Sequence, residues 1–264
     1  MVSFMYLGRF GRLGNQLFEI ATTIGTAKKY NLDYYFNSWK HNKHFKNKIP
    51  TSKFFQYDFR TYNEPCFHYK DINLLNREDN WDLRGYFQSY KYFDNYKQDI
   101  IDQFELIGDL TFYIENEYPF LVDGTHTCSI NVRRGDFLDS HIKDYHHIVP
   151  IDYYKKAIKH LYGDNIDNIK FIVVSDDIKW CKKNLPQELG LDLTFIEDEI
   201  DITQLKILSY CKDNIMAASS FSWWGSYLNK NENCRVIGPK KWFGPLYENK
   251  HDTKDLMPGN WIRL

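Results

Sequence analysis

The chain has 264 residues, 43% hydrophobic and 17% aromatic, with a formal net charge of -1 at pH 7. That is enough apolar material for one large domain or two small ones, and the balanced charge provides no basic field to gather nucleic acid. No run of about 18 apolar residues occurs, so no membrane-spanning helix is expected, and peripheral attachment to a membrane stays open.

The apolar start from Val2 to Leu7 reads as a first strand. Gly8-Arg9-Phe10-Gly11-Arg12 follows where a signal peptide would have a small-residue cleavage site. The glycine-rich loop runs on to Gln16, and apolar spacing predicts a helix from about Leu17 to Tyr30. Glycines let a ligand approach the backbone closely, and a helix N-terminus presents unpaired N–H groups to an anion. Neither Gly-x-Gly-x-x-Gly nor Gly-x-x-x-x-Gly-Lys-Ser/Thr is present, so a dinucleotide fold or P-loop fits poorly. A tight turn that needs glycine for geometry alone is the competing reading.

From Asp33 to about Pro65 the sequence is polar and aromatic with weak periodicity, and His41 to Lys48 reads as a solvated basic loop. Trp81 to Ser89 reads as strand and turn, with a helix following through about Phe104. Tyr86, Phe87 and Gln88 suit either a sugar site or the core. A linker is expected between about Glu115 and Thr127, with Pro119 and Asp123-Gly124 as turn signals.

Beyond the linker the pattern is regular. Strands are expected at 128–133, 170–175, 193–196, 214–218 and 235–238, alternating with helices at 151–162, 177–185, 202–211 and 223–229. This is the signature of an α/β fold with a parallel, doubly wound sheet. Two α/β units are thus expected, 1–124 and 125–264, with a cleft between them for ligands.

Polar residues fall at the ends of three strands in the second unit. Arg133-Arg134-Gly135-Asp136 ends one, Ser175-Asp176-Asp177 the next, and Ser219-Ser220-Phe221-Ser222-Trp223-Trp224 another. The carboxyl ends of parallel strands are where ligands bind. Arginine there suits phosphate, because its planar fork holds two oxygens and stays charged. A surface ion pair would account for the first group, and Ser222 is expected to cap the helix behind it.

Cys66, Cys128, Cys181, Cys211 and Cys234 are odd in number and lack metal-ligand spacing. They read as reduced, mostly buried thiols, which fits a cytoplasmic protein. No His-Glu-x-x-His and no Asn-x-Ser/Thr sequence occurs.

Five motifs together resemble the α-1,2-fucosyltransferases, glycosyltransferase family 11. They are Gly11-Arg12-Leu13-Gly14-Asn15-Gln16-Leu17-Phe18, Arg84-Gly85-Tyr86-Phe87-Gln88-Ser89, Asn131-Val132-Arg133-Arg134-Gly135-Asp136, the strand from Phe171 to Asp177, and Ser219-Ser220-Phe221-Ser222-Trp223-Trp224-Gly225. They keep the family's order from about residue 8 to 243. The resemblance implies a GT-B type fold of two Rossmann-like halves facing a cleft. The first half would lie on the acceptor side, and the second would hold GDP-fucose. It also implies an inverting transfer without cofactor or bound metal. No two aspartates are separated by a single residue, so the Asp-x-Asp motif of metal-dependent sugar transferases is missing, and arginines and helix N-termini would hold the pyrophosphate.

By motif position, Arg133 is the catalytic cation and Asp136 a catalytic group. Arg134 either reaches phosphate too or, preferably, pairs with Asp136. The donor would be met by Gly11, Gly14, Asn15, Gln16, Asn131, Arg133, Arg134, Asp176, Asp177, Gln204, Ser220, Ser222 and Trp223. Asp139, His141 and Asp144 share the loop after the motif, and the sequence does not choose a general base among them. Asn131 replaces the family's usual histidine and cannot titrate. Gln204 stands where an aspartate is common, which bears on guanine selectivity. The partners implied are a nucleotide sugar and a glycan acceptor. Competing readings are another GDP-sugar transferase of the same fold and a non-catalytic sugar- or nucleotide-binding relative.

Overall fold

The structure is a computed structural model describing residues 1–52, 57–231 and 233–264. It is an α/β protein with two wholly parallel sheets. The chain divides into two units, Met1–Thr111 with Asp252–Pro258, and Phe112–His251 with Gly259–Leu264. Residues 112–124 thus belong with the second unit, and 252–258 return to the first.

The first unit is built on β1 (Val2–Phe4), α1 (Leu13–Tyr30), β2 (Tyr34–Phe36), β3 (Phe59–Asn63), β4 (Asn80–Arg84) and α2 (Lys97–Gln103). Its sheet order is β2-β1-β4-β3. β1 stops short of the expected Leu7 because Met5 turns its N–H to Oδ1 of Asp82 at 2.8 Å. α1 begins four residues before its expected start, so Gly14, Asn15 and Gln16 form its first turn rather than a loop. That turn is stabilised by side chains: Gln16 Nε2 donates to the carbonyl of Gly11 at 3.1 Å, and Trp39 Nε1 donates to Gln16 Oε1 at 2.7 Å. Further along α1, Gly25 lies against Phe93, whose Cα and Cβ would be 3.1 Å from an added Cβ. Only glycine admits this approach.

Among the described residues, the stretch read as weakly periodic holds two strands, β2 and β3, and the basic loop is not simply solvated. His41 and Phe45 are buried there, and Lys48 Nζ donates to the carbonyls of Lys43 and Phe45 at 3.0 and 2.5 Å. The expected linker begins inside a helix, α3 (Gly108–Glu117), and contains a 3-10 turn at Pro119–Leu121.

The second unit follows the expected alternation: β5 (His126–Val132), α4 (Ile151–Tyr162), β6 (Ile169–Ser175), α5 (Ile178–Leu189), β7 (Leu193–Phe195), α6 (Asp201–Tyr210), β8 (Asp213–Ile215), α7 (Ser220–Tyr227) and β9 (Arg235–Gly238), closed by β10 (Ile262–Arg263). Its sheet order is β10-β9-β8-β5-β6-β7. The chain winds outward from β5 in one direction and from β8 in the other, so their shared border is the topological switch point, beside which ligands sit in open α/β sheets. β5 is buried at every position after His126, as expected of a parallel strand covered on both faces. β8 is shorter than expected because the chain leaves the ladder after Met216, and the Ser219 N–H turns back to the Ala217 carbonyl at 2.8 Å.

Candidate active site

The carboxyl ends of β5 and β6 are joined by ion pairs between Arg133, Arg134, Asp136, Asp176 and Asp177. The register explains the meeting, since β5 and β6 pair from His126 and Ile169 to Val132 and Ser175, so both motifs leave the sheet at the same level. Arg133 Nη2 donates to Asp136 Oδ1 at 2.5 Å, and Nη1 donates to Asp176 Oδ2. Its guanidinium also lies over the ring of Phe137, 4.7 Å from the centroid. The expected pairing of Arg134 with Asp136 is not what forms. Arg134 donates from Nε to Asp177 Oδ2 at 3.4 Å and lies 3.8 Å over the Trp180 ring, while its main-chain N–H donates to Asp176 Oδ1 at 2.9 Å. Successive residues leaving a strand point to opposite faces, so the two arginines take different carboxylates.

Asp177 also caps α5, its Oδ1 accepting from the Trp180 N–H at 3.3 Å, and its own N–H donates to Ser175 Oγ at 2.9 Å. Gly135 keeps the cluster compact, for an added Cβ would collide with the Asp176 carboxylate. Asn131 lies just behind, buried, with Nδ2 donating to the Val174 carbonyl at 3.3 Å and its own carbonyl accepting from Tyr154 Oη at 3.0 Å.

The other candidates of this unit lie on α6 and α7. Gln204 Nε2 donates to the Glu199 carbonyl at 2.9 Å. Ser222 Oγ donates to the carbonyls of Ala217 and Ser219 at 3.1 and 3.0 Å, and the cap of α7 is Ser219, not Ser222. Ser219 takes that place because its Oγ accepts the Phe221 N–H at 3.2 Å. Ser220 opens the helix, and Trp223 is fully buried, stacked on Tyr227 at 4.7 Å.

In the first unit, Gly11, Gly14, Asn15 and Gln16 gather where the chain passes from β1 into α1. Gly11 has φ +65°, a conformation glycine adopts without strain. Asn15 Oδ1 accepts from Gln88 Nε2 at 2.8 Å, tying this loop to the Tyr86-Phe87-Gln88 segment. That segment follows β4, while Glu64 follows the neighbouring β3 and accepts the Tyr86 N–H at 2.8 Å. Burial pushes the Glu64 carboxyl up to about 7, although the N–H groups of Phe87 and Tyr86 oppose the shift.

Phe137, His146 and Trp180 were not singled out by the sequence reading. Phe137 and Trp180 stand one and three residues from motif aspartates, a spacing that marked them in retrospect. His146 carries no such signal. It reaches the site because the 144–147 segment pairs with the chain around Phe243, where Gly244 N donates to the Tyr145 carbonyl at 2.9 Å.

Among the described residues, no group of three or more His, Cys, Asp or Glu is arranged to hold a metal ion, and no helix is long and apolar enough to cross a membrane. All five cysteines are free thiols.

The model of "Glycosyl transferase family 11" matches residues 10–264. An O-antigen biosynthesis glycosyltransferase of Escherichia coli, WbnK, is 29% identical over 228 residues, 83% of this chain and 68% of that protein. An alpha-1,2-colitosyltransferase, also from Escherichia coli, is 30% identical over 184 residues, 68% of this chain and 61% of its own length. Among solved structures, the fucosyltransferase NodZ from Bradyrhizobium is similar with a TM-score of 0.55 at 13% identity, covering 85% of this chain and 91% of that one. NodZ soaked with GDP-fucose gives 0.56 at 13% identity, over 90% and 94%. The shared architecture is the GT-B type.

Proposed function

The chain belongs to glycosyl transferase family 11 and is a glycosyltransferase, and from that premise we propose that it moves L-fucose from GDP-β-L-fucose to O2 of a galactoside, with inversion and without a metal ion. The observation that carries this reading is Arg133 at the carboxyl end of β5, oriented by Asp136 and Asp176 and backed by Phe137. A guanidinium has five N–H groups. Two are given to the carboxylates, which leaves donors for a diphosphate. As the bond from fucose to the β-phosphate oxygen breaks, negative charge grows on that phosphate, and a fixed cation beside it binds the transition state more tightly than the ground state.

Asp136, read from the motif as a catalytic group, then acts by holding Arg133 in line. Arg134 and Asp177 brace the start of α5. In the first turn of α1, Asn15 and Gln16 donate their main-chain N–H groups to the Arg12 carbonyl at 3.0 and 3.1 Å, so the donor roles of Gly11, Gly14, Asn15 and Gln16 rest on motif position. Asn131, buried and bound to the Val174 carbonyl, supports the strand end and takes no proton. Gln204 keeps its amide carbonyl as one neutral acceptor for a guanine N–H.

A second reading is favoured by the colitosyltransferase, 30% identical to this chain. Under it, the same site takes another GDP-linked deoxy sugar.

The test is transfer from GDP-fucose and other GDP-sugars to lactose and related galactosides, with and without EDTA. Fucosylation at O2 that persists in EDTA is expected. Transfer abolished by EDTA, or no transfer from GDP-fucose to any galactoside, overturns the reading, and turnover with a different GDP-sugar selects the second one.

A further inference from the structure

An inverting transfer needs an acceptor for the proton of the incoming hydroxyl. Asp136 is poorly placed for this, because taking a proton would dissolve its 2.5 Å ion pair with Arg133. Asp139, His141 and Asp144 have exposed side chains, and Asp139 meets the arginine cluster through its main chain, its N–H donating to the Asp136 carbonyl at 3.0 Å. His146 differs from all of them. Its imidazole lies flat on Phe137, with centroids 3.9 Å apart and planes within 5°. The Arg133 guanidinium lies 4.7 Å from the centroid of the same ring. Phe137 is therefore a shared platform that fixes the imidazole relative to the guanidinium. The imidazole is only partly buried, and neither of its nitrogens has a hydrogen-bond partner among the described residues.

Resting on the fucosyl-transfer reading, we propose that His146 is the general base, accepting the acceptor hydroxyl's proton on a ring nitrogen. As that proton leaves, the hydroxyl oxygen forms its bond to C1 of fucose. The bond from C1 to the β-phosphate oxygen breaks, and its electron pair departs with GDP. The imidazolium then releases the proton to solvent. Burial holds the His146 pKa below the ordinary histidine value, Asp136 acts against that shift, and Arg133 adds to it. The ring is thus neutral and ready at neutral pH. From the segment packed behind it, Lys241 and Glu248 face the neighbouring His147 instead.

The experiment compares wild type with His146→Gln and His146→Phe from pH 5 to 9, with calorimetric GDP-fucose binding and thermal unfolding measured alongside. Both variants should lose about 10²-fold or more in kcat/KM at pH 7.5 while binding GDP-fucose as wild type does. The wild-type rate should fall at acid pH, and the residual rate of both variants should be flat there. His146→Phe keeps the stack, so it removes proton transfer without removing support for Arg133. Unchanged turnover in either folded variant overturns the proposal, as does a loss of GDP-fucose affinity that matches the loss of rate. A wild type that transfers no fucose at all would instead overturn the donor reading. The imidazole NMR titration then decides: GDP bound beside Arg133 should raise the His146 pKa, and an unmoved pKa overturns the assignment.

Discussion

The carboxylate of Asp176 fills the space that a side chain on Gly135 would occupy. That carboxylate accepts from both the Arg133 guanidinium and the Arg134 main-chain N–H, so its position sets the direction of Arg133. Gly135→Ala should push Asp176 aside and turn Arg133 with it. A displacement of about 1 Å at a catalytic group costs roughly 10²-fold in rate. Steady-state transfer and a thermal melt check this. A loss of rate with little change in Tm is expected, and a fully active Gly135→Ala would show that Asp176 does not orient the arginine.

The two adjacent arginines should respond differently to conservative change. Arg133→Lys replaces a fork that spans Asp136 and Asp176 with a single ammonium, which cannot hold both and still meet a phosphate. A loss of roughly 10² to 10³ in kcat is expected. Arg134 donates to Asp177 at 3.4 Å and otherwise lies on Trp180, so Arg134→Lys, which keeps the charge, should cost about tenfold at most, since one long hydrogen bond and a cation–π contact are each of modest energy. The ratio of the two kcat values decides. Equal losses would remove the distinction.

This division of labour was not legible in the sequence. That two arginines end a strand could be read, but which carboxylate each takes depends on the register of β5 against β6 and on the glycine between them. The alternation in the second unit was legible because its longest strands, β5 and β6, are runs of seven residues, too apolar to be surface. β2 has three residues, too few to show a period, and α1 opens with Leu13-Gly14-Asn15-Gln16, which reads as loop until Trp39 is seen to bind Gln16. His146 reaches Phe137 through a loop contact that no spacing encodes.

Glu19 should make stability fall as pH rises from 4.5 toward about 9. It is fully buried in α1, and neither carboxyl oxygen has a hydrogen-bond partner among the described residues. Burial pushes its pKa from 4.5 up to about 9. The folded state therefore favours the protonated acid, so the stabilisation is complete below pH 4.5 and is lost as pH rises toward 9. The slope approaches about 1.4 kcal/mol per pH unit in that window. Glu19→Gln cannot ionise, so urea midpoints of the variant should be flat where the wild type declines, and should exceed it at pH 8.5. Parallel curves would mean that Glu19 is ionised and paired in solution.

Asp213 should matter for stability and not for chemistry. It opens β8, at the end of the sheet opposite the arginine cluster, and its side chain is 2% exposed. Arg235 Nε and Nη2 donate to it at 2.8 and 2.7 Å, Tyr162 Oη donates at 2.6 Å, and His126 Nε2 lies 2.7 Å away. These bonds join the starts of β5, β8 and β9 to α4. Burial alone would raise the Asp213 pKa, but the bonds from Arg235, Tyr162 and His126 outweigh it and hold the carboxyl below its ordinary value. The stabilisation is therefore present above the unfolded carboxylate pKa and is lost as pH falls through the folded one. Asp213→Asn leaves Arg235 without its counter-charge, at a cost of about 3 kcal/mol at pH 7. The low end of the range for a broken buried pair applies because Arg235 is partly exposed. Denaturation at pH 7 and at pH 3 measures this. The gap between variant and wild type should narrow in acid, while kcat of the folded variant at 20 °C stays within about twofold, since nothing in this network reaches Arg133 or His146. A kcat that falls along with stability would mean that the far end of the sheet sets the arginine's position after all.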